Sequence, residues 1–377
     1  MNGEPVPAYV LGDFGSVTLL CDEGFTRAWK VNGDTYPPVR RPAGLEGIPL
    51  DVGPLPYFDY LARCDGDTDV ALVGVPSKAG SLLPDSTVDG FPECLRSASI
   101  RYPVFARVDR PGSSGLYDLS EQRPLFPGLA FRDLGDLAQG AARDAKLRTD
   151  ALRRLVAWSV GNRSRLFSIG GDHSITHTLV RSLAKETDRP VVLVMFDAHN
   201  DCGMNPFVDD QVDQSNFVRH LLTRQQVVSV IQVGVRGIRS LKQVHQHECL
   251  QTWPPHALPP GGLMSTISEE VKRFPEAIGY LSIDLDVLSP SEFPLVDFPV
   301  HGGMDTAQLI SQLQEVFDSP LPIAGLDMVE GLPGGRIEQN HYDVPLRILA
   351  HCLDGINRQK AARRQTAPGL DANRESV

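Results

Sequence analysis

From residue 68 onward, short apolar runs of strand length alternate with longer segments of helical period, and this limits the fold more than any other feature. The runs fall at 70–75, 166–169, 191–196, 227–233 and 278–283, with another at 323–326. Most are apolar at nearly every position rather than at every second one. A strand apolar on both faces has to be buried on both faces, as happens when helices cover a parallel sheet from each side. Segments 147–160 and 306–317 have the composition of such helices. The expected class is α/β, with three α/β/α layers around a central parallel sheet. In sheets of this kind, ligands bind in the crevice at the carboxyl ends of the strands.

The first 67 residues read differently. Short β-prone runs at 9–11, 17–20 and 27–31 precede the turn signal Asn32-Gly33 and a proline-rich stretch at 36–56. They imply either a small β-rich extension tied to the main body or an arm packing on it. The division expected is an extension at 1–67, a catalytic domain at 68–357, and a polar, disordered tail at 358–377.

Composition closes off some function classes. A net charge of −11 argues against nucleic acid or a membrane surface as the main partner. The six cysteines are scattered without a CxxC pair, the usage expected of reduced thiols in a cytoplasmic protein. No stretch approaches the roughly 20 apolar residues of a membrane span.

Three of the strand-like runs end in acidic and histidine residues. The first gives Gly170-Gly171-Asp172-His173, the second Asp197-Ala198-His199-Asn200-Asp201, and the third Asp284-Leu285-Asp286. On extended backbone, alternate residues share one side, so 197, 199 and 201 converge, as do 284 and 286. Any one of these motifs alone is an ordinary turn or cap. Together they gather carboxylates and imidazoles that would repel and resist desolvation unless cations neutralised them. Two divalent ions match that charge. Ligands that are mostly oxygen, with one imidazole per ion, favour Mn²⁺ over a thiolate-type zinc site. Paired ions also suit hydrolysis, because they lower the pKa of a bound water.

These motifs, in this order, resemble the three signatures of the arginase and agmatinase (ureohydrolase) family. The segments 72–76, 90–96, 133–136 and 325–330 extend the resemblance over roughly residues 68 to 355. It implies an arginase-like fold and assembly as a trimer or hexamer. It also implies two Mn²⁺ ions, one held by His173, Asp197, Asp201 and Asp284, the other by Asp197, His199, Asp284 and Asp286. By the same resemblance Asp201 orients the attacking water and Glu330 pairs with a substrate guanidinium, a contact that can be bidentate. The implied reaction splits a guanidino group into urea and an amine.

The chain departs from the arginase pattern where substrate choice and proton transfer are decided. Gln214, within Asp213-Gln214-Ser215-Asn216, stands where arginases have a proton-shuttling histidine, and glutamine cannot titrate. His177, His220 and His301 are candidate replacements. Asn216 is a candidate substrate contact. Arg239 stands where arginases place an aspartate that reads a free α-amino group, and the α-carboxylate readers have no clear match in 203–212. A bulkier loop at 290–299 replaces a small one. Free arginine is therefore a poor fit. An arginine side chain within a peptide, converted to ornithine, is the leading substrate. The alternatives are a small guanidino or formimino acid, or a non-catalytic metal-binding relative.

Overall fold

The computed structural model describes residues 17–21, 27–31, 34–36, 44–51, 57, 68–99, 101–102, 115–203, 211–239, 245–258, 260–334 and 338–366. Near the N-terminus β1 (Val17–Cys21), β2 (Arg27–Val31) and β3 (Asp34–Tyr36) form a three-stranded antiparallel sheet. Val31 pairs with Asp34, leaving a two-residue connection, the spacing of a tight hairpin. The run at 9–11, the Asn32-Gly33 turn itself and residues 367–377 lie outside the described residues.

The chain continues through β4 (Leu50–Asp51), β5 (Val70–Gly74), α1 (Phe91–Ser99), the hairpin β6 (Leu116–Asp118) and β7 (Arg123–Leu125), and β8 (Phe131–Leu137). Next come α2 (Gln139–Arg143), α3 (Ala145–Gly161), β9 (Arg165–Ile169), α4 (Ile175–Thr187), β10 (Val191–Phe196), α5 (Phe217–Leu222) and β11 (Val227–Val233). The order ends with β12 (Leu250–Trp253), α6 (Gly262–Arg273), β13 (Ile278–Asp284), α7 (Thr306–Asp318), β14 (Ile323–Val329) and α8 (Asp343–Thr366).

Nine strands form one sheet in the order β12-β11-β10-β13-β14-β9-β5-β8-β4. Every pairing in it is parallel except that of the edge strand β4 with β8. The apolar runs behave as their composition requires. In β10, Val192, Val194 and Phe196 enter a core shared with Leu263, Leu309 and Leu353 of α6, α7 and α8. Val191, Leu193 and Met195 enter a second core with Leu155, Leu179 and Leu221 of α3, α4 and α5. A strand committed to both cores cannot slip by one residue without exchanging every side chain between them.

Both ends of the main body reach past the division expected. Residues ahead of 68 already pack into it, because Leu45, Ile48 and Leu50 are buried in the second core and β4 pairs with β8. The tail does not begin at 358, because α8 runs to Thr366. Tertiary interactions invisible in local composition hold that last stretch. Gln359 donates to the carbonyls of Phe317 and Leu321 and accepts from the Ile323 N–H, while Lys360 pairs with Asp69.

Candidate metal centre and active site

β10, β13, β14 and β9 are neighbours in the sheet, and their carboxyl ends carry the motifs. The chain leaves β9, forms α4 and enters β10, with β13 and β14 lying between those two strands. A crevice opens where the strand order breaks in this way. After Ile169 the chain turns through Gly170 and Gly171, at φ +74° and +88°. A Cβ on Gly171 would lie 2.4 Å from the carbonyl oxygen of Val75, so only glycine lets the turn deliver Asp172 and His173.

Three carboxylates meet one face of the buried His173 ring. Its Nδ1 lies 3.1 Å from Asp197 Oδ2, 3.1 Å from Asp201 Oδ2 and 3.2 Å from Asp284 Oδ2. A second group adjoins the first through Asp197, with His199 Nδ1 at 2.7 Å from Asp286 Oδ2 and 3.6 Å from Asp197 Oδ1. All six expected ligands therefore converge: five form two groups able to hold a cation, His173, Asp197 and Asp201, and Asp197, His199 and Asp286, and Asp284 adjoins the first through His173.

The donor atoms suit such ions. His173 Nδ1 and Asp197 Oδ2 are buried without a hydrogen-bond partner, although each faces the other group's lone pairs. Adjacent ligands around an octahedral hard cation at about 2.1 Å stand about 3.0 Å apart, close to the spacing seen. The other His173 nitrogen, Nε2, donates to Ser282 Oγ (2.8 Å), which donates to Asp327 (2.6 Å). Thr176 and Tyr280 also donate to Asp327, each at 2.7 Å. This relay keeps the proton on Nε2 and leaves Nδ1 bare toward the carboxylates, as a metal-ligating histidine requires.

The electrostatics agree. Burial and the charge of Asp197 push the Asp201 carboxyl up to about 7. Burial, Asp286 and Asp197 raise Asp284 well above the carboxylate range. Burial alone would keep His199 neutral, but Asp197 and Asp286 raise it to about 11. Carboxylates so close and so buried repel one another, and a positive charge placed among them relieves that repulsion.

Glu330 ends β14 at φ +64°, and Asp201 sits at φ +44°, both left-handed and unusual for such residues. The Glu330 side chain is buried, and its Oε1 accepts the His173 N–H at 2.6 Å. Burial, then Asp172, raises its carboxyl well above the usual range. Gln214 is buried beside the site. Its N–H bonds the carbonyl of Gly80, whose own N–H bonds Asp172, and its Oε1 has no hydrogen-bond partner. The loop at 290–299 reaches over the crevice. Val296 bridges to Gly331, and the Phe298 ring stands edge-on to His199 at 6.4 Å.

Other expected site residues point elsewhere. Asn216 accepts from the Asp213 N–H and donates to the Gln211 carbonyl, bonds that shape its own loop. Arg239 is exposed, 3.4 Å from the carbonyl of Ile238. The inward position is taken by Arg236, which bonds the carbonyls of Asp286, Val287 and Leu288, and Gly237 at φ +85° then turns the chain outward. His177 and His220 sit together on α4 and α5, and His301 is exposed. Ser282 opens the third motif, Ser282-Ile283-Asp284-Leu285-Asp286, without a role read for it, and Thr176 and Tyr280 lay outside the motifs. The one signal for this relay was Asp327, an acid inside an apolar strand.

Residues 68–350 match the Arginase family. Agmatinase from Chromobacterium violaceum is 26% identical over 316 residues, covering 78% of this chain and 86% of the relative. Guanidinopropionase from Pseudomonas aeruginosa is 26% identical over 310 residues, covering 76% and 88%. Among solved structures, a hypothetical agmatinase from Burkholderia thailandensis superposes with a TM-score of 0.65 at 20% identity, covering 86% of this chain and 98% of that one. Formiminoglutamase from Trypanosoma cruzi, solved with Mn²⁺, gives 0.63 at 17% identity, covering 80% and 98%. With the fold, the motif order and the family match in agreement, the chain belongs to the arginase family, whose members are hydrolases of amidine C–N bonds.

Proposed function

We propose that the chain is a ureohydrolase that uses two Mn²⁺ ions to split a guanidino group into urea and an amine. The observation that carries this reading is Glu330, a buried carboxylate beside the ligand cluster with no salt bridge among the described residues. A guanidinium supplies the opposite charge and can be held by two parallel hydrogen bonds. His173, Asp197, Asp201 and Asp284 would hold one ion, and Asp197, His199, Asp284 and Asp286 the other. When bound, the ions supply a water activated for attack near neutral pH.

The chain's own residues do the rest. Glu330 fixes the guanidinium so that its carbon faces the ligand cluster. Asp201, beside His173, orients the attacking water and passes on its proton. The unpartnered Oε1 of Gln214 accepts a hydrogen bond from the departing amine without taking its proton. In balance, a C–O bond forms to the guanidinium carbon, a C–N bond breaks, and both of water's protons end on the departing amine, which leaves as an ammonium beside neutral urea.

For the substrate, we favour an arginine side chain within a peptide. Position 239 offers an exposed guanidinium where a reader of a free α-ammonium would need an acid. The named relatives favour a second reading, a small guanidino compound such as agmatine or guanidinopropionate. Urea release should be compared for arginine peptides, free arginine, agmatine and guanidinobutyrate with Mn²⁺ supplied. Higher kcat/KM on an arginine peptide is expected. Preference for a small guanidine overturns the peptide reading, and no urea from any of them overturns the ureohydrolase reading.

A further inference from the structure

On the side of the sheet covered by α3, α4 and α5, basic side chains gather away from the metal ligands. His177 and Arg181 stand four residues apart on α4 and so share a face. His220 lies in α5 and Arg224 in the turn that ends it. α4 packs against α5 and also against α3, which carries Arg153. The rings of His177 and His220 meet edge to face, with centroids 6.1 Å apart. His177 is more than nine-tenths buried, and the Nε2 atoms of both rings are buried without a hydrogen-bond partner. A buried polar nitrogen left in that state is an uncompensated cost of folding.

Among the described residues, no acid is named among the groups that shift His177 and Arg181. Burial, then Arg181, His220 and Arg224, push His177 down to about 4. Burial, Arg224 and Arg153 lower Arg181. Every charged or titratable group acting on these two residues is thus a cation or an imidazole. Among the described residues, Arg153, Arg181 and Arg224 form no salt bridge. In a chain with a net charge of −11, so local an excess of positive charge calls for an anion from outside.

We propose that this face binds a small oxyanion of the phosphate class, held by Arg181 and Arg224 with the His177–His220 pair beneath it. Such an anion would reverse each of the repulsions above. Its oxygens would accept from the arginines in charge-assisted pairs and from an imidazole N–H now without a partner. Chloride, with one charge and no fixed acceptor geometry, would do so poorly. The site stands apart from the guanidine reading and does not depend on it.

Titration calorimetry of inorganic phosphate into the metal-loaded full chain, near neutral pH and at constant ionic strength, tests the assignment. The wild type should bind phosphate in preference to chloride. An Arg181→Ala/Arg224→Ala variant should bind it about a hundredfold more weakly, roughly tenfold for each charge-assisted pair removed. Both residues are exposed, so fold, metal content and guanidine turnover should stay as they are. Equal phosphate affinity in the variant would put the anion elsewhere, for instance at the metal centre, and overturn the proposal. So would a wild type that does not distinguish phosphate from chloride.

Discussion

Glu330 and Asp201 hold left-handed backbone at the ends of neighbouring segments, a conformation that costs about 1–2 kcal/mol for a residue with a side chain. Strain of this kind persists where the surroundings over-determine it, and the surroundings here are the ligand cluster. At Glu330 the turn lets the backbone N–H bond the Gly171 carbonyl while the carboxylate folds back onto the His173 N–H. The residue is thereby aimed into the crevice without being a metal ligand. Glu330→Gln should keep the geometry and the metal content but lose the charge that meets a guanidinium. The expected loss of transition-state stabilisation is on the order of 2–5 kcal/mol, read as kcat/KM on the best guanidino substrate. Wild-type turnover by this variant would strip Glu330 of that role.

At the scale of elements, three strands bring the ligands together and one buried relay orients His173. Asp327 sits within β14, and its three donors come from β13 and α4. Asp327→Asn would turn one acceptor into a donor facing a hydroxyl and loosen Ser282, which fixes His173. Metal affinity should fall by about 10–100-fold, the usual effect of losing such a partner. A metal titration superimposable on wild type would show the relay to be incidental. The same elements explain what could be read without coordinates. Strands such as β10 and β13 announced themselves because both faces are apolar, and the ligand motifs because they end those strands. β8 did not, since Phe131–Leu137 carries Arg132, Asp133 and Asp136. Its charge is tolerated because the buried Arg96 bonds Asp133 and Asp136 together, a pairing between segments far apart in sequence. The segments 90–96 and 133–136 were recognised by resemblance, but that they clasp each other was not readable. For the same reason Arg239 seemed a substrate reader. Charge at a position is visible in sequence, whereas the turn at Gly237 that sends it outward is not.

For the molecule as a whole, the ligand cluster sets a balance between protons, cations and stability. The metal-free pKa of Asp201 is raised from 3.8 to about 7, and that of His199 from 6.5 to about 11. A raised folded-state pKa contributes stability that is fully present below the unfolded value and is lost as pH rises through the folded value. Asp201 therefore withdraws its contribution between its ordinary value and about 7, and His199 withdraws its own at higher pH. Cations replace the departing protons, and metal affinity rises as they leave. The gain in Tm on adding Mn²⁺ should thus be larger at about pH 8 than at about pH 5. An equal gain at both would mean that the ions bind outside this cluster. The central claim is that the six side chains at the ends of β9, β10 and β13 form one two-ion centre sharing Asp197. The most direct check is elemental analysis of purified protein after loading with Mn²⁺ and removal of excess. Wild type should carry about two ions per chain, as in two-metal hydrolytic sites, and Asp197→Asn should lose both, since its charge serves both groups. Two ions retained by the variant, or none taken up by the wild type, would contradict it.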